Sequence, residues 1–394
     1  MKTTIPTLLA ALALFTSSAS FAQITIGNVR AAQRPGTKLV DIDYDLTGIA
    51  TPCTVWLEIS GDGGTTWAVP ATSAAGSVGT AVTPATDLRI TWDGGLDWNG
   101  QTSAQTRFRV KASDLLPDLA NFATIPGGNF LMGDALDGLS DAPVHTVSLT
   151  AYYIAKKEVT KSEWDAVRTW GLANGYTDLA AGTGKAANHP VQTINWWDAV
   201  KWCNARSQRE GLTPCYYTDE EKTAVFRSGT SDITSAMVKW SANGYRLPTE
   251  AEWEKASRGG LAGLRFPWGD TISHANANFY NNGGESYQAG SAGFHPSYAT
   301  GGMPYTSPVG SFAANGYGLF DMAGNVWEWC WDWYGSSYYT SSPPTNPTGP
   351  SGSFRILRGS GWGSYGTGAR CGNREGFNSP NFSDSNIGFR PVRR

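Results

Sequence analysis

Five cysteines carry the most distinctive chemistry in this chain of 394 residues, and they are spread over most of its length. They are Cys53, Cys203, Cys215, Cys330 and Cys371. Thiolates are the ligands that hold Cu(I) and other soft metals, and in an oxidising compartment paired cysteines persist as disulfides. Because five is an odd number, at least one thiol is free or pairs between chains, and the spacing leaves the connectivity open.

The sequence has few other residue patterns that are typical of a catalytic, metal or phosphate site. The four histidines are His145, His189, His274 and His295. They lie far apart in the sequence and have no spacing typical of a metal site. No glycine-rich phosphate-binding motif occurs between a strand and a helix. A net charge of −3 without any basic run argues against nucleic acid as a partner.

The N-terminus has the three parts of an export signal. Met1-Lys2 provides a positive start, residues 5–15 form an apolar run, and Ser20-Phe21-Ala22 suits signal peptidase. The run is about half of the roughly 20 apolar residues that a membrane-spanning helix needs, which disfavours the alternative of a membrane anchor. We therefore predict a signal peptide over residues 1–22, and a protein that is secreted, periplasmic or at the cell surface.

Residues 24–112 show the alternation typical of β-strands. Val40, Ile42, Tyr44 and Leu46 alternate with aspartates, which places the apolar side chains on one face. Clusters of glycine and aspartate separate this run from similar ones. Several short strands punctuated in this way predict an all-β sandwich of the immunoglobulin or fibronectin type.

One string in this region, Ser60-Gly61-Asp62-Gly63-Gly64-Thr65-Thr66-Trp67, resembles the Asp-box of sialidases and related β proteins. The box is a hairpin device, so we expect the Asp62 carboxylate to bond the turn amides and Trp67 to pack beneath them. A single copy is no evidence of glycosidase activity, and turn chemistry accounts for every residue.

The composition changes after this region. Residues 113–121 have the composition of a linker, and we expect a second domain over residues 122–394. Three helix starts in it combine a good N-cap residue with an acidic residue three positions later. These pairs are Thr160 with Glu163, Asn195 with Asp198, and Thr249 with Glu252. Beyond Gly260 we expect loops and short strands only.

A strand expected over residues 326–334 carries four tryptophans on one face. They are Trp327, Trp329, Trp331 and Trp333. Large aromatic side chains are more often core than surface, because each buries a large apolar area. The stripe is therefore predicted to be core, with a sugar-stacking platform as the alternative.

Short strings in a fixed order run through residues 122–394. They are 125–133 (IPGGNFLMG), 158–160 (EVT), 189–191 (HPV), 245–254 (YRLPTEAEWE), 266–269 (FPWG), 315–329 (NGYGLFDMAGNVWEW), 358–360 (RGS) and 386–390 (NIGFR). The whole series resembles the formylglycine-generating enzyme (sulfatase-modifying factor) family. The resemblance implies an α+β chain in which the β-sandwich precedes a loop-rich domain related to C-type lectins.

The family's oxidases convert a sulfatase cysteine to formylglycine, with copper held by two cysteines that follow the Arg-Gly string. The matching stretch, residues 361–370 (GWGSYGTGAR), contains no cysteine. Cys330 and Cys371 are therefore the candidate catalytic pair if the chain is an oxidase. The alternative, which an exported context favours, is a disulfide between them. Cys203 and Cys215 are likewise expected either to form a second disulfide or to pack as small buried side chains.

The resemblance also implies calcium. Matched residue by residue, one family site becomes the side chains of Asp321 and Glu328 with the main-chain carbonyls of Gly324 and Val326. Mixed carboxylate and carbonyl oxygens are what calcium prefers, whereas the alternative role of the two carboxylates is to accept loop hydrogen bonds. A second family site at Asn278 and Phe279 lacks its expected aspartate near Gly301.

The final loop has the composition of a recognition surface, with rigid rings among small polar groups. The candidate ligand-binding residues are Trp362, Ser364, Tyr365, Asn373, Arg374, Phe377 and Asn378. They favour a non-oxidase binding module whose partner is a glycan or a protein, a sulfatase among them. A formylglycine-generating oxidase that uses copper, and a bare scaffold, are the alternatives, since function belongs to sites and not to folds.

Overall fold

The structure is a computed structural model that describes residues 24–48, 53–65, 67, 69–113 and 121–394. The chain divides into two compact units, Met1–Asp118 and Leu119–Arg394. The predicted signal peptide (1–22) and most of the predicted linker (113–121) lie outside the described residues and stay predictions. Within the described ranges, every helix is too short or too polar to cross a bilayer.

In the described part of the N-terminal unit, the strands form two antiparallel sheets. One contains, in order, β1 (Thr25–Gln33), β2 (Leu39–Thr47), β6 (Leu88–Asp93) and β4 (Ala75–Gly76), and the other β5 (Gly79–Val82), β3 (Cys53–Ser60) and β7 (Arg107–Ser113). Ile42, Tyr44 and Leu46 are fully buried, as their alternation predicts, and join a core with Val55 and Ile59 of the other sheet. A short helix, α1 (Gly94–Asp97), departs from the all-β expectation. The immunoglobulin or fibronectin type stays a prediction.

The Ser60 hydroxyl forms several hydrogen bonds within the turn at residues 60–65. The Ser60 hydroxyl accepts the amides of Asp62 (3.3 Å) and Gly64 (2.8 Å), and donates to Asp62 Oδ1 (2.7 Å). The Arg109 guanidinium stacks on the Trp67 ring, 3.9 Å from its centroid. The hydrogen bonds within the string are those of a structural turn, and the bonding of turn amides by the Asp62 carboxylate stays a prediction.

The C-terminal unit mixes three small sheets with a few helices, which confirms the α+β prediction for this unit. Its helices are α2 (Lys161–Ala173), α3 (Trp196–Arg209) and α4 (Glu250–Ser257). Its sheets, in strand order, are β10 (His145–Leu149) with β9 (Gly128–Met132); β16 (Val392–Arg393), β11 (Tyr152–Ala155) and β8 (Phe122–Ile125); and β14 (Glu375–Asn378), β13 (Arg355–Arg358), β12 (Trp327–Trp333) and β15 (Ile387–Gly388).

All three predicted helix starts are confirmed as capping boxes. In α4, the Thr249 hydroxyl accepts the Glu252 amide at 3.2 Å, and the Glu252 carboxylate accepts the Thr249 amide at 2.9 Å. Such a box satisfies two backbone N–H groups that the first turn of a helix leaves without partners. The local sequence therefore fixes where each of these helices begins.

Strand β12 separates two hydrophobic cores. Trp327, Trp329 and Trp331 pack in the core that contains α2 and α3, whereas Cys330, on the opposite face, packs with residues of β8 to β11 and α4. Trp329 is fully buried and Trp331 is 3% exposed. The prediction that the tryptophan stripe is core is confirmed for these two residues and for Trp327, which is 8% exposed, whereas Trp333 is only partly buried.

Buried ion pairs join α4 to the rest of the unit. The Glu254 carboxylate accepts from Arg358 at 2.6 Å and from Arg258 at 2.8 Å. The Glu250 carboxylate accepts two hydrogen bonds from Arg374, at 2.8 and 2.9 Å. These five side chains are at most 6% exposed. The pairs attach β13 and the segment after Cys371 to one helix.

Replacing one of these carboxylates should be costly. Glu254→Gln leaves Arg258 without its charge partner and Arg358 with only its longer contact to Glu250 (3.4 Å), so we expect a loss of about 3–5 kcal/mol in the free energy of unfolding. Urea unfolding followed by tryptophan fluorescence measures it. The control, Asp165→Asn, breaks the Lys161–Asp165 pair, whose side chains are 22% and 51% exposed, and should cost less than about 1 kcal/mol. Equal effects of the two variants would contradict the role given to Glu254.

Candidate functional site

A cleft of about 490 Å³ opens beside the first tryptophan of β12. Its walls come from the glycine-rich segment 361–370, from β14 and from the segment that leads into β15. The side chains and glycines that line it are Trp327, Leu357, Gly363, Ser364, Tyr365, Thr367, Gly368, Arg370, Asn373, Glu375, Asn378, Phe382, Asp384, Asn386 and Ile387.

The Trp327 ring is part of the lining of the cleft, and the glycines of 361–370 allow the chain to lie directly against it. The Trp327 indole N–H donates to Ser364 Oγ at 2.8 Å. A Cβ added at Gly368 would lie 2.8 Å from the Trp327 ring, and one at Gly361 would lie 2.9 Å from the Asn386 carbonyl oxygen. Both distances are shorter than real carbon contacts, so the glycine content of the segment follows from this packing.

Two aromatic rings stand at the cleft with much of their surface free. Tyr365 is 53% exposed and Phe382 is 42% exposed. The backbone beside Tyr365 is held by the Tyr280 amide, which donates to the Ser364 carbonyl at 2.9 Å. Exposed rings on a fixed backbone offer apolar faces to a ligand with little loss of conformational entropy.

Three charged side chains line the cleft: Arg370, Glu375 and Asp384. Arg370 lies 3.0 Å from the Asp137 carboxylate, which also accepts from Arg265 at 2.7 Å. These guanidinium groups, Arg265 foremost, hold the pKa of Asp137 below its ordinary value. Asp384 Oδ1 accepts the Asn386 amide at 3.2 Å. The remaining polar groups are mostly amides and hydroxyls, which suit hydrogen bonding to a polar ligand.

The structure brings together four of the seven residues proposed for ligand binding. Ser364, Tyr365, Asn373 and Asn378 line the cleft. The side chain of Phe377 lies outside the described part of the structure.

Trp362 and Arg374 are buried away from the cleft, and both have structural partners. Trp362 is 5% exposed, donates to the Ser385 carbonyl at 3.0 Å and packs against Tyr305. Arg374 is 6% exposed and is engaged by Glu250 on α4. Composition placed them with the ligand-binding residues, but long-range packing assigns them to the scaffold.

Sequence reasoning missed several cleft residues. Phe382, Asp384 and Asn386 come from a polar segment that reaches the cleft only because the chain returns to β12 through β15, parallel to it. Trp327 was recognised as part of the tryptophan stripe but not as a residue that lines a cleft. An apolar ring at Phe382 within a run of serine, asparagine and aspartate was the available signal.

Comparison with known proteins decides the family. Residues 108–394 match the family described as "Sulfatase-modifying factor enzyme 1-like domain". The chain belongs to this family. The formylglycine-generating enzyme of Streptomyces coelicolor is 36% identical over 294 residues, which cover 68% of this chain and 87% of that protein. "Chaperone protein LppX" of Paenibacillus barcinonensis is 36% identical over 223 residues, covering 55% of this chain and 71% of that protein.

Solved structures agree with the family assignment. "Treponema denticola variable protein 1" superposes with a TM-score of 0.53 at 30% identity, covering 69% of this chain and 94% of that chain. "PvdO from Pseudomonas aeruginosa" superposes with a TM-score of 0.50 at 26% identity, covering 69% of this chain and 94% of that chain. The predicted formylglycine-generating-enzyme-like fold of the C-terminal unit is therefore confirmed. A relation to C-type lectins stays a prediction.

None of the residues that line the cleft is a cysteine. Cys330 lies on the other face of β12, and Cys371 Sγ lies 3.4 Å from the Ser257 hydroxyl. Burial raises the pKa of both thiols above their ordinary value, which disfavours the thiolate that copper binding needs. Both cysteines are free thiols in the structure, so the predicted disulfide between them was wrong.

Cys203 and Cys215 are also free thiols, fully enclosed in the core that contains α3. The predicted disulfide is absent, and the alternative, two small buried side chains, describes them. Burial raises the pKa of the Cys215 thiol to about 12. The prediction of pairing rested on an exported context, whereas the structure places each thiol among apolar side chains.

Of the two carboxylates proposed to bind calcium, one has an oxygen without a hydrogen-bond partner and the other has both oxygens in hydrogen bonds. Both oxygens of Glu328 accept from Arg390, at 2.7 Å each, and Oε2 also accepts from the Trp253 indole at 2.8 Å. Asp321 Oδ2 accepts the Gly310 amide, and its Oδ1 is buried without a hydrogen-bond partner. Burial, and then the neighbouring Asp321 carboxyl, raise the pKa of Glu158 well above its ordinary value.

Oε2 of Glu158 is also buried without a hydrogen-bond partner. Two adjacent buried carboxyls, each with a spare oxygen, fit a cation better than Glu328 does. Across the described residues, however, no group of three or more His, Cys, Asp or Glu side chains is arranged to hold a metal. Calcium at Asp321, Gly324, Val326 and Glu328 stays a prediction.

Proposed function

We propose that this chain is an exported member of the family whose cleft recognises a glycan or protein ligand and carries out no oxidation. The observation that carries the proposal is the cleft itself, in which the exposed rings of Tyr365 and Phe382 stand among amide and hydroxyl groups. Rigid rings beside small polar groups are the composition of recognition surfaces. The leader-like sequence of residues 1–22 supports export.

The absence of a thiol from the lining of the cleft argues against the oxidase alternative. That alternative would depend on Cys330 and Cys371, which are buried with raised pKa values and lie outside the cleft. A copper-binding thiol must reach solvent and substrate as a thiolate. No observation in the described structure favours the oxidase over the binding module.

The names of the relatives support a family with more than one kind of function. One relative is called a chaperone and one solved structure a variable protein, beside those named formylglycine-generating enzymes. Because function belongs to a site placed on a fold, the family alone leaves the activity open. The partner of this cleft is accordingly a glycan or a protein, and a sulfatase is one protein to be tested.

The two exposed rings should dominate binding. The double variant Tyr365→Ala/Phe382→Ala should weaken binding of any ligand found on glycan, cell-wall and sulfatase panels by at least about tenfold, or about 1.4 kcal/mol. Isothermal titration calorimetry measures the change. The control is Phe354→Ala, which removes a ring that is 42% exposed but lies outside the cleft. Failure of every panel, or equal losses in the two variants, would contradict the proposal.

We also propose a structural calcium ion at Asp321, with the carbonyls of Gly324 and Val326. Glu328 belongs to the site that the family resemblance implies, and Glu158 is the nearby carboxyl with an oxygen to spare. The ion would neutralise two carboxyls whose pKa values burial raises. Hard oxygen ligands of this mixed kind favour calcium over softer metals.

Removing calcium should lower the melting temperature. Calcium at about 100 times its Kd stabilises the folded state by about 2.7 kcal/mol, so the protein should melt several degrees higher in calcium than in EGTA. Magnesium serves as the control cation. Asp321→Asn suits the positive φ of 55° at this position and should abolish the difference. An identical melting temperature in calcium and EGTA, with no heat of binding, would refute the ion.

A further inference from the structure

The N-terminal unit contains a cavity of about 350 Å³ that the proposed function does not use. It is lined from β1, β2 and β6 of one sheet, from β7 of the other, and from the loop between α1 and β7. Its volume lies in the range of small-molecule sites, roughly 300–1,000 Å³. Every lining residue belongs to the described part of the chain.

Aromatic rings form the apolar part of this cavity. Trp92 and Phe108 meet edge to face with ring centroids 5.8 Å apart, and Trp98 stands beside them. The Trp92 indole N–H is already bonded to Asp97 Oδ2 at 2.8 Å. Trp92 is 3% exposed, whereas Trp98 and Phe108 are partly exposed and offer apolar ring carbons to the C–H groups of a ligand.

The turn at residues 60–65 holds Trp98 in place. A Cβ at Gly61 would lie 2.8 Å from the Trp98 ring, so only glycine admits the ring there. The Ser103 hydroxyl donates to the Gly61 carbonyl at 2.6 Å, which fixes the loop that carries the polar rim. The glycine-rich string thus supports a preformed cavity, and preformed sites lose less entropy on binding.

The polar rim carries one charged side chain, Lys38, and is otherwise uncharged. The Lys38 ammonium donates to Asn99 Oδ1 at 2.9 Å, and no carboxylate lines the cavity. The side chains of Gln101 and Thr102 are exposed and make no hydrogen bond with the described residues. An amide and a hydroxyl offer both donors and acceptors to hydroxyl groups of a ligand.

We propose that this cavity is a second binding site, separate from the cleft, that takes one or two sugar units of a neutral glycan. Sugars combine apolar C–H faces with hydroxyl groups, and the cavity combines aromatic faces with uncharged donors and acceptors. A cationic ligand would meet no carboxylate in the lining, and a ligand with two carboxylates would bring more charge than the single Lys38 ammonium offsets, so part of its desolvation would be uncompensated. The proposal holds whether or not the cleft of the C-terminal unit binds a ligand.

The test uses the full chain in a Tyr365→Ala/Phe382→Ala background, so that the cleft contributes little. Cellobiose, maltose, xylobiose and diacetylchitobiose are titrated by calorimetry and saturation-transfer NMR, with digalacturonic acid as the charged comparison. We expect at least one neutral disaccharide to bind, and digalacturonic acid to bind at least tenfold more weakly. Ala31→Phe fills the cavity and Trp98→Ala removes a ring, and each should weaken binding at least tenfold.

The matched control is Ala32→Phe, which places the same ring on the neighbouring residue of β1, exposed and outside the cavity. It should leave binding unchanged, and melting curves show whether each variant is folded. The proposal is overturned if no neutral disaccharide binds, if the charged one binds best, or if Ala31→Phe and Ala32→Phe behave alike. These outcomes are independent of the cleft, which the background variant has already disabled.

Discussion

The C-terminal unit depends on a small set of carboxylates that lie within one short helix. Glu250 and Glu254, one turn apart on α4, hold Arg374, Arg258 and Arg358 in the interior. Buried charges are tolerated only when paired, so these contacts fix which strands and loops lie against α4. Glu328 of β12 and Arg390 form another buried ion pair. With few helices and short strands, the unit relies on such pairs, and on large aromatic side chains, to specify one arrangement.

The need to pair these buried charges explains why the family resemblance predicts the fold but does not determine the chemistry of the cleft. The strings that carry it contain Glu250, Glu254, Arg358, Glu328 and Arg390, and each of these side chains is buried in an ion pair. The cleft, by contrast, is formed by the glycine-rich segment 361–370 and the polar segment that follows β14. A scaffold can therefore be retained while the residues at its cleft change, and function has to be argued from the cleft.

What could be predicted from the sequence depended on the range of the interaction. The caps at Thr160, Asn195 and Thr249 are local, and the tryptophan alternation of β12 is local, so both were predicted correctly. The disulfides failed because pairing depends on distances that spacing along the chain does not determine. Arg374 was misplaced for the same reason, since its partner Glu250 lies 124 positions away. Phe382 lies at the cleft because the chain comes back to β12 through the parallel strand β15, and no local sequence pattern predicts that pairing.

The central claim is that this scaffold carries a recognition cleft without oxidase chemistry. The most direct measurement incubates the full chain, loaded with copper and supplied with oxygen, with a peptide that contains the sulfatase Cys-x-Pro-x-Arg motif. Mass spectrometry then follows the cysteine, and the Streptomyces coelicolor relative serves as positive control. We predict that the peptide thiol keeps its mass while the control converts it. Formylglycine formed by this chain, and lost in Cys330→Ser or Cys371→Ser, would contradict the account.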